Sequence, residues 1–350
     1  MVLDKIILIS FPLILLANFL LVKNYNLFFL KKTKDSEFYK PQAFHFKSTP
    51  RIGGFLIFVF LTSFLIIFYN KNLFSFQVIT LGTFFFLIGF LGDLNINIKP
   101  EIRLFFMLIV SFFIIYFLDI RIFNAQLSIL NNLINSHKII SSIFVCLALL
   151  FVINGCNFID GFNGLLIIHS IIILAILYFI NSENSNDAHI KYFILFSLII
   201  CFSVLFFNFP KGKIFLGDSG AYLLGSIVSL TVIELSNLNK IISPFFFASI
   251  LFYIFFEVFF SFFRKIIFLR SSPLKPDKKH LHMLLFKFIF SKVKKIERAN
   301  YLTSISVNFF YFILIFPLLF FYKDKIFCQI YFLFLIIIYL LSYLYVDQKK

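Results

Sequence analysis

Three aspartates stand at the edges of long apolar runs: Asp93 in GFLGDLNINIKPEIRLFF, Asp160 in NGCNFIDGFNGL and Asp218 in NFPKGKIFLGDSGAYLLG. A charge at the mouth of a membrane helix is costly unless something holds it. Carboxylates are hard oxygen ligands, and Mg2+ is usually bound by one or two of them plus substrate phosphates. Cations suited to phosphate lie close by in sequence: Lys47 and Arg51 in HFKSTPRIGG, Lys99 and Arg103 after Asp93, and Lys211 and Lys213 before Asp218. His280 and His282 flank one residue in the basic stretch SPLKPDKKHLHML. Asn154, Asn157, Asp160 and Asn163 recur every three residues, a spacing that on a helix start turns several of them to one side. Amide side chains of this kind read a nucleobase or an acetamido group. The glycines at 155, 161 and 164 let a ligand approach the backbone. The set points to phosphoryl transfer, done mainly by positioning and charge neutralisation. Plainer readings exist for each part. Asp218 could be the N-cap of the helix that follows it, and Asp93 a capped helix end with a salt bridge. The HFKSTPRIGG stretch could be a basic anchor beside the membrane. Glu257 could be a buried partner of Arg264.

The elements that must position these residues are membrane helices. The chain has 350 residues, is 61% hydrophobic and only 14% charged. Its mean hydropathy of +0.98 excludes a soluble globular protein. Runs near the ~20 residues needed to cross a bilayer recur throughout. They predict an all-α, polytopic membrane protein of about eleven spans, over 4–23, 52–69, 74–92, 104–120, 139–156, 163–181, 190–208, 219–237, 242–263, 303–322 and 325–346. Residues 1–350 read as one membrane-embedded domain, with no separate soluble domain and no transporter-like repeat. The run from Ile6 to Val22 ends at Lys23 without a cleavage site and reads as a retained first span. Of the 32 lysines and arginines, 24 fall in one set of connections, which sets the N-terminus outside and the C-terminus in the cytoplasm. All five polar clusters then share the cytoplasmic face. The net charge of +16 fits a membrane surface or an anionic substrate better than nucleic acid. KKIERAN predicts an amphipathic surface helix. The four cysteines show no paired spacing and predict neither disulfides nor a zinc site. A polar site at the membrane surface implies one soluble substrate and one lipid substrate.

In this order and on this face, the clusters resemble the polyprenyl-phosphate N-acetylhexosamine-1-phosphate transferase family of bacterial enzymes. The resemblance covers nearly the whole chain. His45, Thr49, Pro50, Arg51, Gly53 and Gly54 resemble the family's H-x-x-P-T-P-R-x-G-G, with Ser48 at its first proline. Asn154, Asn157, Asp160, Gly161, Gly164 and Leu165 resemble N-x-x-N-x-x-D-G-x-D-G-L, with Asn163 at its last acid. Asn208, Pro210, Phe215, Gly217, Asp218, Gly220 and Gly225 resemble N-x-P…F-x-G-D-x-G-S-x-x-L-G, with Ala221 at the serine. Asp277, His280 and His282 resemble D-x-x-H-x-H.

The resemblance implies transfer of a sugar 1-phosphate from a UDP-sugar, UDP-GlcNAc or a related N-acetylated sugar, to undecaprenyl phosphate. UMP is released, as the first step of a cell-surface polysaccharide such as O-antigen. It also implies an enzyme of the bacterial inner membrane with its active site toward the cytoplasm, and it admits a homodimer. Mg2+, with Mn2+ as a substitute, is the implied cofactor, held by Asp93 and Asp218. Asp160 would orient the nucleotide or share the metal. Asn154, Asn157 and Asn163 would bind substrate, Lys47, Arg51 and Lys213 would hold phosphates, and His280 and His282 the diphosphate or sugar. The family commonly has adjacent aspartates where this chain has Gly92-Asp93. Two alternatives stay open: the phospho-N-acetylmuramoyl-pentapeptide transferase of peptidoglycan synthesis, and a catalytically degenerate relative. A transporter is disfavoured, because its polar residues would gather near the bilayer midplane.

Overall fold

The structure is a computed structural model that describes residues 2–24, 34–35, 49–68, 72–96, 98–268, 270, 272 and 278–348. His45, Lys47 and Asp277 of the sequence motifs lie outside these residues. The described chain is helical apart from a two-residue antiparallel ladder, in which β1 (Lys34–Asp35) pairs with β2 (Thr49–Pro50). The helices are α1 (Val2–Lys23), α2 (Gly53–Phe68), α3 (Leu73–Asp93), α4 (Pro100–Phe117), α5 (Ser128–Ser136), α6 (Lys138–Ile159), α7 (Leu165–Ile180) and α8 (Ala188–Asn208). They continue with α9 (Gly217–Leu238), α10 (Pro244–Ile250), α11 (Phe252–Phe263), α12 (Leu281–Val293), α13 (Ile296–Ile315), α14 (Leu318–Phe321) and α15 (Lys325–Gln348).

Among the described residues, eight helices are long and apolar enough to cross a membrane, and the pair α10–α11 makes a ninth if it counts as one broken span. The chain is thus a multi-pass membrane protein. The sequence count of eleven also included two shorter apolar helices, Ile9–Lys23 and Gly53–Phe68.

Helix starts follow local chemistry. The Asn72 side chain accepts from Phe74 N to begin α3, and Asp187 accepts from Ile190 N to begin α8. Pro100 opens α4, where the missing N–H is no loss, and Glu101 follows in its first turn. The predicted span 242–263 is instead broken at Leu251 and bent by 75°. The Tyr311 hydroxyl of α13 donates to Ile250 O at 2.6 Å, so a neighbouring helix satisfies a carbonyl at the break. KKIERAN does not form a surface helix of its own. Lys294, at φ +53°, ends α12, and IERAN begins α13, which runs on into apolar sequence. The sequence expectation does not include the short helix α5, although its apolar residues Ile129, Leu130, Leu133 and Ile134 recur at helical spacing.

The centre of the bundle is α9, in which every residue from Ser219 to Ile233 is buried. It packs against α2, α3, α6 and α7. Small residues make this possible, since helices in lipid associate by close van der Waals approach. Gly54 of α2 lies against the backbone of Gly220, where a Cβ would collide. A Cβ on Gly89 of α3 would fall 2.5 Å from the Asp218 carbonyl carbon and from Ser219 N and Cα. These contacts bring the ends of α2 and α3 onto the first turn of α9, where the acidic motif begins.

Candidate active site

The first and fourth sequence motifs are stitched together by backbone. Phe215 N donates to Pro50 O, Gly53 N to Phe215 O and Gly54 N to Leu216 O, each at 2.9 Å. Arg51 pairs with Phe215 in the same short parallel bridge. Gly217 then turns the chain at φ +74°, a conformation that suits glycine. A Cβ there would also strike the Asp93 carboxylate.

Asp93, at the end of α3, is fully buried, and its carboxylate caps the start of α9 from outside that helix. Oδ1 accepts from Asp218 N at 2.9 Å. Oδ2 accepts from Ser219 N at 3.0 Å and from Ser219 Oγ at 2.5 Å. These are N–H groups that a helix start leaves unpaired, and an anion is favoured there. The plainer reading of Asp218 as an N-cap therefore does not describe the geometry. Asp93 does the capping, and the Asp218 carboxylate points elsewhere.

Asp218 Oδ2 accepts from Arg103 Nη1 at 2.7 Å, and Oδ1 accepts from Asn157 Nδ2 at 2.8 Å. The Asp218 side chain keeps 32% of its surface exposed and Arg103 keeps 26%. The Arg103 guanidinium lies 5.6 Å from the centre of the Tyr222 ring, one turn beyond Asp218. Asp160, just past the end of α6, belongs to the same electrostatic group. Partial burial pushes its carboxyl well above the usual carboxylate range, Asp218 and Asp93 add to this, and Arg51 opposes it.

The third motif sits at a helix end, not at the helix start that its spacing suggested. Asn154 turns back to donate to Leu150 O at 2.8 Å, while Asn157, on the last turn, reaches Asp218. Asn163 ties two loops, donating from Nδ2 to Pro210 O at 2.9 Å. Its backbone N–H is held by Asn300 Oδ1 at 2.9 Å. Gly164, at φ +80°, donates to Asn208 Oδ1 at 2.6 Å and lets α7 begin. Lys213 is exposed on the loop that leads to α9.

His280 and His282 are buried behind this loop. His280 packs edge-on to Phe158 and His282 to Phe162. Glu257 of α11 holds the segment: Oε2 meets His280 Nδ1 at 3.0 Å and Oε1 accepts from Leu281 N at 3.1 Å. His282 Nδ1 lies 3.3 Å from the Tyr253 hydroxyl. Burial pushes His282 down to about 4, with Glu257 opposing and His280 adding to the fall. In this geometry the two rings support the end of α6 and the turn after it, on either side of Asp160, from inside. Glu257 partners the histidine segment, whereas Arg264 donates to the Tyr343 hydroxyl at 2.6 Å.

Among the described residues no group of three or more His, Cys, Asp and Glu forms a ready metal cage. The donor set at Asp218 fits a hard divalent cation that takes one carboxylate and completes its shell with phosphate oxygens and water. Asp93 does not fit as the second ligand. It has no exposed surface, and both of its oxygens already accept hydrogen bonds from the start of α9.

The structure thus gathers Asp93, Asp160, Asp218, Arg51 and Asn157 at one end of α9, with His280 and His282 one aromatic layer behind. Sequence reasoning noted Arg103 as a cation without giving it a place in the site. Ser219, Tyr222 and Asn300 were missed. Tyr222 could have been found, because it follows Asp218 by one helical turn. Asn300 carries no such signal, since its partner Asn163 is 137 residues away.

Residues 75–236, which span α3 to α9 and so hold all three aspartates, match the sequence model described as Glycosyl transferase family 4. The chain is also similar to a protein of Thermotoga maritima named undecaprenyl-phosphate alpha-N-acetylglucosaminyl 1-phosphate transferase. The two are 27% identical over 307 residues, covering 83% of this chain and 88% of the relative. With the site built around α9, the match over residues 75–236 and the likeness to the Thermotoga protein support a sugar-phosphate transferase similar to glycosyl transferase family 4.

Proposed function

We propose that the chain transfers an N-acetylhexosamine 1-phosphate from a UDP-sugar, UDP-GlcNAc or a close relative, to undecaprenyl phosphate. An oxygen of the lipid phosphate attacks the sugar-bearing phosphorus of the UDP-sugar. The bond from that phosphorus to the oxygen bridging to UMP breaks, and UMP leaves with that oxygen. The observation that carries this reading is the half-exposed Asp218 carboxylate at the start of α9, steadied by Asn157 and ringed by Arg51, Arg103 and Asp160. The name of the Thermotoga relative supports the same donor and acceptor classes.

In this reading Asp218 would hold Mg2+, or Mn2+ in its place, and the bound ion would supply positive charge for the diphosphate oxygens. Asn157 fixes the orientation of Asp218. Arg51, Lys47 and Lys213 supply further positive charge for phosphate oxygens. Asp93 acts by keeping α9 in register and does not touch the substrate. Asp160 orients the nucleotide from the α6–α7 turn. A general base is not required, because a phosphate monoester has a second pKa of about 6 and is largely dianionic at neutral pH.

The proposed layout is eleven spans in the bacterial inner membrane, N-terminus outside, C-terminus and site in the cytoplasm. It rests on the one-sided distribution of lysine and arginine. The reaction is tested with the purified chain, UDP-GlcNAc and undecaprenyl phosphate, following UMP. Release that requires both the lipid and Mg2+ supports the proposal. No release with any N-acetylated UDP-hexosamine, from protein that melts cooperatively, overturns it.

A further inference from the structure

The place at Gly92 is the most informative gap near the site. Gly92 sits in the last turn of α3, one residue before the capping Asp93. A Cβ at this position would lie 3.0 Å from Asp218 Oδ2 and 3.7 Å from Arg103 Nη1. Position 92 therefore faces the Asp218–Arg103 pair, whereas position 93 faces the helix cap. With no side chain at 92, Arg103 alone closes on Oδ2, at 2.7 Å.

A guanidinium at that distance occupies the oxygen a divalent cation would coordinate, since Mg2+ demands direct contact at about 2.0–2.1 Å. The two cations also repel each other. Arg103 keeps 26% and Asp218 32% of its side-chain surface exposed, so solvent reaches the pair and screens its attraction. Arg103 is nevertheless well placed to leave Asp218 for a phosphate. Its fork carries five donors, of which Asp218 Oδ2 takes one, and forks of this kind match phosphate oxygens. The Tyr222 ring beside the guanidinium gives it a surface to pivot on.

We propose that Arg103 is a resident counter-ion of Asp218, which a phosphate-bearing substrate draws away so that Asp218 becomes free for the divalent cation. The substrate-free protein then binds the metal weakly, and metal and phosphate load together. This inference rests on the reading of Asp218 as the metal-holding residue. It makes position 103 a control on metal affinity, not only a source of positive charge.

The test measures Mn2+ binding to the full chain in detergent by the electron paramagnetic resonance of free Mn2+, with no substrate present. Arg103→Gln should bind Mn2+ about tenfold tighter than the parent, a change of about 1.4 kcal/mol. Arg103→Lys keeps the charge without the fork and should fall between the two, which preserves the test if the glutamine variant does not fold. Adding Asp218→Asn to either variant should abolish the gain. Equal or weaker Mn2+ binding in both Arg103 variants overturns the inference, as does a gain that survives loss of Asp218. UMP release is scored separately on the parent chain. A parent that releases UMP while its Arg103 variants gain no affinity sinks the inference alone. A gain in affinity with no UMP release sinks the functional reading alone.

Discussion

Replacing Asp93 with Asn separates the two acids that sequence reasoning had treated alike. The carboxylate accepts from two backbone N–H groups and one hydroxyl at the start of α9, and it is fully buried. An asparagine keeps the shape but brings only one acceptor oxygen. Its NH2 group must then face an N–H, leaving buried donors unpaired. Loss of a helix cap costs about 1 kcal/mol. A hydrogen bond to a charged group contributes about 1.5–3 kcal/mol, and an unsatisfied buried donor costs about 1–3 kcal/mol. These terms overlap, and together they predict a loss of roughly 2–4 kcal/mol. The assay is thermal unfolding in detergent of Asp93→Asn, Asp218→Asn and the parent, side by side. Asp93→Asn should melt well below the parent, and Asp218→Asn close to it. If Asp93→Asn melts with the parent while losing only metal-dependent activity, Asp93 is a ligand and the capping argument is wrong.

Two other perturbations probe the scaffold. Gly89→Ala should force α3 off α9, because the added Cβ meets the backbone of Asp218 and Ser219 rather than a movable side chain. A cost of about 1–3 kcal/mol is expected, read as a lower melting temperature, and an unchanged one would refute the close-packing account. His282 titrates near 4 in the folded protein against an ordinary 6.5, so the unfolded chain takes up its proton first. Stability should therefore be fully present above pH 6.5 and fall as the pH drops toward 4, by up to about 3 kcal/mol from this residue. Melting temperatures between pH 7 and pH 4.5 should fall less steeply for His282→Asn than for the parent, and parallel curves would exclude the buried neutral histidine as the cause.

Much of this architecture was legible from local pattern. Apolar runs long enough to cross a bilayer announce themselves, and Asp187, Pro100 and Gly164 mark helix boundaries through chemistry that acts within a turn. The acidic motifs were also visible, because an aspartate beside a membrane span needs a reason. Their division of labour was not. Whether Asp93 or Asp218 caps α9 depends on α3 and α9 meeting through Gly89, a contact between residues more than a hundred positions apart in the chain. The break at Leu251 was hidden for the same reason: the run from 242 to 263 is predominantly apolar, and the hydroxyl that relieves the break comes from Tyr311. The resemblance assigned His280 and His282 to the diphosphate or sugar, a role that says nothing of what lies behind the rings. Glu257, inside a hydrophobic helix, turns them inward.

The most direct test of the central claim is UMP release by Asp218→Asn, in protein shown to melt with the parent. Asp218 is the carboxylate that faces outward at the start of α9, while Asp93 does the capping. The folded variant should transfer almost nothing from UDP-GlcNAc to undecaprenyl phosphate, while the parent does so in the presence of Mg2+. Full transfer by the folded Asp218→Asn variant would contradict it.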